Sequence, residues 1–200
     1  MAIVNIELPE ITRISYRQEK EDRDYGSCLW ARFNFDTKNY SLAIESDCGS
    51  YHYGWCPTPK FETFLHLCSR FDYEYLLYKI SDRTTIDSES TWKAIKEVVQ
   101  MYIEDWFDDD CSEDFDDFFW DQLEAACYHN ADERDAFDSI CNVLNETDLY
   151  GKYESEDIFG AIDKDYPTNA KKIVEVFRDH IQPVVRELSG YKRNGGEDNG

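Results

Sequence analysis

Basic residues are scarce in this chain: 21 Lys and Arg stand against 43 Asp and Glu in 200 residues, a net charge of −22. A surface of that sign repels nucleic acid and anionic lipid at long range and attracts basic partners. Direct binding of DNA, RNA or membrane is therefore the first function to exclude. Turn-formers are also few, with 9 Gly and 5 Pro, which excludes collagen-like and low-complexity chains. An apolar share of 42% with 16% aromatics excludes whole-chain disorder. No apolar run approaches the roughly 18 to 20 residues that span a bilayer. The start, Met1-Ala2-Ile3-Val4-Asn5, carries no base and soon reaches Glu7, which predicts no secretory signal and a cytoplasmic location.

Catalytic motifs are missing too. The chain has no Gly-rich phosphate loop, no Gly-x-Ser-x-Gly and no His-Glu-x-x-His, and only 4 His, so a non-enzymatic role is expected. The 7 cysteines (Cys28, Cys48, Cys56, Cys68, Cys111, Cys127, Cys141) are an odd number. Without a secretion signal they read as free thiols of a reducing compartment. The chemical option they leave is zinc. Cys48-x3-His52-x3-Cys56 supplies sulfur and nitrogen ligands, although its spacing is not that of a standard finger. Calcium is rejected: Asp108, Asp110 and Ser112 imitate the start of an EF-hand loop, but Glu113 stands where glycine is needed and Phe119 where the last carboxylate belongs.

What is there divides the chain. Residues 1–96 hold 15 acids and 12 bases, whereas residues 97–200 hold 28 acids and 9 bases. The local patterns change nearby. Ile3–Leu8, Ile11–Tyr16, Cys28–Phe35, Tyr40–Glu45 and Ser50–Trp55 are β-prone runs separated by turn-like segments, and Pro57 and Pro59 close them. Helical spacing then takes over in Phe61, Phe64, Leu65, Cys68 and Phe71, in Trp92, Ile95, Val99, Tyr102 and Trp106, and in Phe115, Phe118, Phe119, Leu123, Ala126 and Cys127. Asp87, Ser88, Ser90, Ser112 and Asp132 are candidate N-caps. Phe137, Ile140, Cys141 and Leu144 follow, and Ala170, Ile173, Val174, Phe177 and Ile181 form a last helix that Pro183 is expected to kink or end. The expected fold is α+β: an antiparallel β-meander followed by a helical, acidic remainder. Near-neutral residues 1–96 and acidic residues 97–188 would pack as one globular unit, with 189–200 a disordered tail.

From Glu97 through Glu133 there are 14 acids and no Lys or Arg. Glu113, Asp117, Asp121 and Glu124 fall on one helical stripe opposite Phe115, Phe119 and Leu123. Like charges at that spacing each cost a few tenths of a kcal/mol, so the stripe opposes folding locally. Residues 113–124 carry 6 carboxylates over about 18 Å of helix, roughly one per 3 Å. That is close to the charge spacing of about 3.4 Å along a single nucleic-acid strand. The candidate partner-binding residues are accordingly Glu104, Asp105, Asp108, Asp109, Asp110, Glu113, Asp114, Asp117, Asp121 and Glu124.

In size and in its Asp-rich Trp106–Asp121 run, the chain resembles the small acidic inhibitors that phages carry against host defence, the anti-CRISPR and anti-restriction DNA mimics. The Trp30–Pro59 stretch is likewise similar to phage proteins. The resemblance implies an inhibitor of a nucleic-acid-targeting nuclease, acting in the host cytoplasm on a basic protein partner and needing no cofactor. The competing expectation is a zinc-stapled protein–protein adaptor built on Cys48, His52 and Cys56, with an incidental acidic surface.

Overall fold

A computed structural model of the chain describes residues 10–22, 25–57, 63–107, 115–129 and 132–190. The expected strand Ile3–Leu8, the Ser112 cap and residues 191–200 of the expected tail lie outside them. The fold is α+β, and the chain packs as two compact units, one of residues 1–82 with 167–200 and the other of residues 83–166. The second unit thus interrupts the first in sequence.

The first unit is built on a four-stranded antiparallel meander: β1 (Ile11–Arg17), β2 (Trp30–Asp36), β3 (Ser41–Ser46) and β4 (Gly49–Gly54), in that order across the sheet. The alternation seen in the sequence fixes its two faces. Ile14 pairs with Phe33, Phe33 with Ile44 and Ile44 with Tyr51 along the inner face. Arg13, Arg17, Trp30 and Arg32 point outward into solvent. Asp36 shapes the β2–β3 turn, accepting from the N–H groups of Lys38 and Asn39 at 3.1 and 3.0 Å. The β3–β4 turn, Asp47-Cys48, closes on Gly49 at φ +113°, a conformation that favours glycine.

Helices α1 (Phe64–Cys68) and α2 (Tyr73–Ile80) follow. The expected single helical face from Phe61 to Phe71 is split. Asp72 caps a new helix by accepting from the Tyr75 N–H at 2.7 Å, which leaves Phe71 in the link between the two. The unit is completed by α7 (Thr168–Val176), one π-helical turn (Phe177–Ile181) and α8 (Gln182–Leu188). Pro183 therefore does not end the helix. It lies directly after the π-helical turn, in which the Gln182 N–H bonds to the Phe177 carbonyl, and this widened turn shifts the backbone register ahead of the proline ring so that the helix continues. Ser189 and Gly190, expected in the tail, cap this helix. Ring contacts fill the core: Phe33 meets Phe177 at 5.9 Å, Phe35 meets Phe64 at 6.4 Å, and Trp55 stacks on Phe71 at 5.0 Å.

The second unit holds α3 (Ser88–Trp106), α4 (Asp117–Tyr128), α5 (Glu133–Asn145) and α6 (Ser155–Gly160). Ile95, Val99, Phe119, Leu123, Cys127, Ala136, Ile140, Leu144 and Ile158 are buried together as its core. Its two chain ends are joined by a short antiparallel ribbon of β5 (Thr85–Ile86) and β6 (Lys164–Asp165). The buried Thr91 hydroxyl completes the junction, accepting from the Asp163 N–H at 3.0 Å. No helix among the described residues is long and apolar enough to cross a membrane.

Candidate functional site

The charge follows the packing. Residues 83–166 contain 25 Asp and Glu against 6 Lys and Arg, whereas residues 1–82 and 167–200 together contain 18 against 15. A net of −19 is thus concentrated in the interrupting unit and −3 remains in the other. The change of charge near residue 96 runs through the middle of α3.

Helix α4 begins at Asp117 because Asp116 caps it, accepting from the Phe119 N–H at 2.9 Å. Phe119, Leu123, Ala126 and Cys127 then turn inward, and the same 3–4 spacing leaves Asp117 and Asp121 exposed and Glu124 half-buried on the other side. Glu104 and Asp105 are exposed at the end of α3. Asp108, Asp109, Asp110, Glu113 and Asp114 lie outside the described residues. The described stripe is therefore Asp117, Asp121 and Glu124, and its charge spacing is about one per 4 Å of helix.

The unit's bases leave this stripe uncompensated. Lys164 pairs with Glu133 at 2.9 Å. Lys96 instead lies over the rings of Trp92 and Trp120, Lys152 over Phe107 at 4.1 Å, and Arg83 over Tyr166. Among the described residues, no cation lies within ion-pair distance of the three α4 carboxylates. Other acids of the unit do structural work. Tyr102 donates to Asp157 at 2.5 Å and accepts from the Glu154 N–H, tying α3 to α6. Burial, reinforced by Asp157, pushes the Tyr102 hydroxyl up. Asp132 caps α5, and the N–H groups of Asp135 and Arg134 hold its carboxyl below the ordinary value. Its charge in turn raises the neighbouring Asp135.

Two aromatics expected inside are outside. Trp106 is 58% exposed and Phe118 66% exposed, because α3 ends at Trp106 and Phe118 precedes the inward-facing Phe119 by one position. Tyr128, Tyr150 and Phe159 are also exposed on this unit. Exposed acids and exposed rings on the same unit suit a cationic partner: the carboxylates attract it, and the ring faces accept guanidinium or ammonium groups.

The zinc ligands expected from the sequence do not converge. Cys48 is buried in the β3–β4 turn, His52 is exposed on β4, and Cys56 is exposed beyond it. Cys48 instead meets Cys28 and Asp47, whose ligand atoms all lie within 4.8 Å of one another. Sequence reasoning placed Cys28 on a neighbouring strand but overlooked Asp47. Extending the register Ala31–Ser46 by one residue would have set Trp30 beside it.

Searches of curated proteins and of solved structures found no match to this chain. A family model described as a phage family, Phage_phiTE_072, matches residues 5–187, which covers the described elements of both units but for the last residue of α8. The chain is a member of that phage family.

Proposed function

We propose that this phage-family protein is a non-enzymatic inhibitor of a host nucleic-acid-targeting defence nuclease, a CRISPR effector or a restriction enzyme. Its acidic unit takes the place of DNA in a basic channel. The observation that carries this reading is the segregation of charge: 25 acids against 6 bases in one separately packed unit, with near-neutrality in the other. A general adaptation for solubility would acidify both units alike. The carboxylates of α3 and α4 supply steering and on-rate, and the exposed Trp106 and Phe118 supply desolvated contacts that slow release. The inhibitor acts in the host cytoplasm, where such nucleases meet phage DNA.

The test is a DNA-cleavage assay in which the purified protein is titrated into a CRISPR effector or restriction endonuclease of the host. Inhibition should weaken as salt rises, because the Debye length falls from about 10 Å at 0.1 M to about 3 Å at 1 M. Inhibition should also be lost when the nuclease is loaded with DNA before the protein is added. Inhibition unchanged across that salt range, or equally strong on DNA-loaded enzyme, overturns channel occupation.

A further inference from the structure

We propose that Cys28, Asp47 and Cys48 form a zinc site in the near-neutral unit. Two thiols and a carboxylate converge there from separate parts of the chain, Cys28 from the segment ahead of β2 and Asp47-Cys48 from the β3–β4 turn. Both cysteines are buried. The Cys28 Sγ lies 3.5 Å from Asp47 Oδ1. Zinc bonds of about 2.3 Å to sulfur and about 2.0 Å to oxygen, set at a tetrahedral angle, separate the two ligand atoms by about 3.5 Å. The Ser27 carbonyl, 3.2 Å from the Cys48 Sγ, is an oxygen within reach of a fourth position. Thiolates select a borderline-soft ion such as zinc over magnesium or calcium.

The surroundings hold the ligands as a metal site requires. The Leu29 N–H donates to Asp47 Oδ2 at 2.9 Å and the Trp30 N–H to Oδ1 at 3.3 Å, which fixes the carboxylate's orientation. The Tyr51 hydroxyl donates to the Cys48 carbonyl at 2.8 Å and pins the turn. Gly49, at φ +113°, lets the turn close with the Cys48 side chain inward. Without metal the Cys28 thiol donates to this carboxylate, and zinc would replace the thiol proton between the same two atoms. Zinc would displace the two thiol protons and bind the segment ahead of β2 to the β3–β4 turn. The site is independent of the acidic unit and of the nuclease reading.

The experiment is a cobalt(II) titration of the full-length, reduced, chelator-treated protein, followed by displacement with zinc. A thiolate-to-cobalt charge-transfer absorption should saturate at one cobalt per chain and vanish when zinc is added. Cys28→Ser and Cys48→Ser should each abolish it, Asp47→Asn should weaken cobalt binding at least about tenfold, and His52→Ala with Cys56→Ser should leave it intact. Circular dichroism of the serine variants separates loss of ligand from loss of fold. Should Cys28→Ser or Cys48→Ser unfold the chain, Asp47→Asn, which keeps an oxygen for the Leu29 N–H, carries the test. Absence of the absorption in the wild-type protein overturns the site. So does an absorption that survives Cys28→Ser and Cys48→Ser, or an affinity unchanged in Asp47→Asn.

Discussion

Gln182 is one of few buried polar side chains among the described residues, 3% exposed, and its side-chain amide is engaged on both sides. Its Nε2 donates to the Phe71 carbonyl at 2.5 Å and to the Cys68 carbonyl at 3.5 Å, while its Oε1 accepts from Arg186 at 2.8 Å. Gln182→Leu would strand the Phe71 carbonyl in the core, so it should lower stability by about 1–3 kcal/mol in urea unfolding. Asp36 gives a pH prediction. The Asn39 side-chain amide, then the Asn39 and Lys38 N–H groups, hold its carboxyl below the ordinary value. The folded chain therefore binds fewer protons here than the unfolded chain. The stability this supplies is complete above the unfolded carboxyl's range and is lost as pH falls through the folded value. Asp36→Asn should unfold at lower urea than wild type at pH 7, and the gap should close toward about pH 3. A constant gap would mean that shape, not charge, is at work. Residue chemistry of this kind was only partly legible in advance. The zinc reading took Cys48, His52 and Cys56 from ligand type and spacing, which do not tell which side chains a turn buries: Cys48 turns inward to Cys28 and Asp47, while His52 and Cys56 stay exposed.

Elements were legible where a local signal coincided with burial. The four strands of the meander, β1–β4, stand within one or two residues of their expected positions, since alternation and turn chemistry act over short spans. The caps Asp87 and Asp132 were read correctly for α3 and α5. Helical periodicity misplaced Phe118 and Trp106 because it counts apolar residues without knowing which lie at a helix end. It also joined α1 to the Phe71 link, which the Asp72 cap separates. The β5–β6 ribbon has no local signal at all, for its partners Thr85 and Asp165 are eighty positions apart. The Thr91 hydroxyl, at once acceptor from the Asp163 N–H and donor to the Asp163 carbonyl at 3.4 Å, reinforces that junction. Thr91→Val keeps the shape and removes both bonds, leaving the Asp163 N–H unpaired. It should cost about 1–3 kcal/mol, and native-state hydrogen exchange should show protection lost first at Asp163 and its neighbours. Unchanged exchange there would make the ribbon, and not the threonine, the fastening.

At the scale of the whole molecule, the interruption of one unit by another was invisible in the sequence, because it depends on contacts between the two ends of a long segment. Charge was visible, and it locates the acidic unit more sharply once packing is known. A unit carrying −19 strains against its own repulsion, so its stability should respond to salt as well as to mutation. Raising sodium chloride from about 0.01 M to 1 M shortens the Debye length from about 30 Å to about 3 Å, and the unfolding temperature of this unit should climb. On α4 the like-charge pairs are Asp117 with Asp121 at i, i+4 and Asp121 with Glu124 at i, i+3. Asp117 also lies in the first turn, where the helix dipole favours an acid. Neutralising Asp121 and Glu124 therefore removes both repulsive pairs and spares the favourable charge. The double variant Asp121→Asn, Glu124→Gln should gain about 0.5 kcal/mol, a rise of about 2–4 °C for a unit of this size, and lose part of that gain at high salt. In the same preparation it should inhibit the nuclease less well than wild type, and the loss should be greatest at low salt. Charges kept against the stability of their own helix are expected where a surface is shaped for a partner. A variant that melts lower and inhibits as strongly as wild type would show these carboxylates to be serving the fold, and the acidic unit's role would then have to lie elsewhere on its surface.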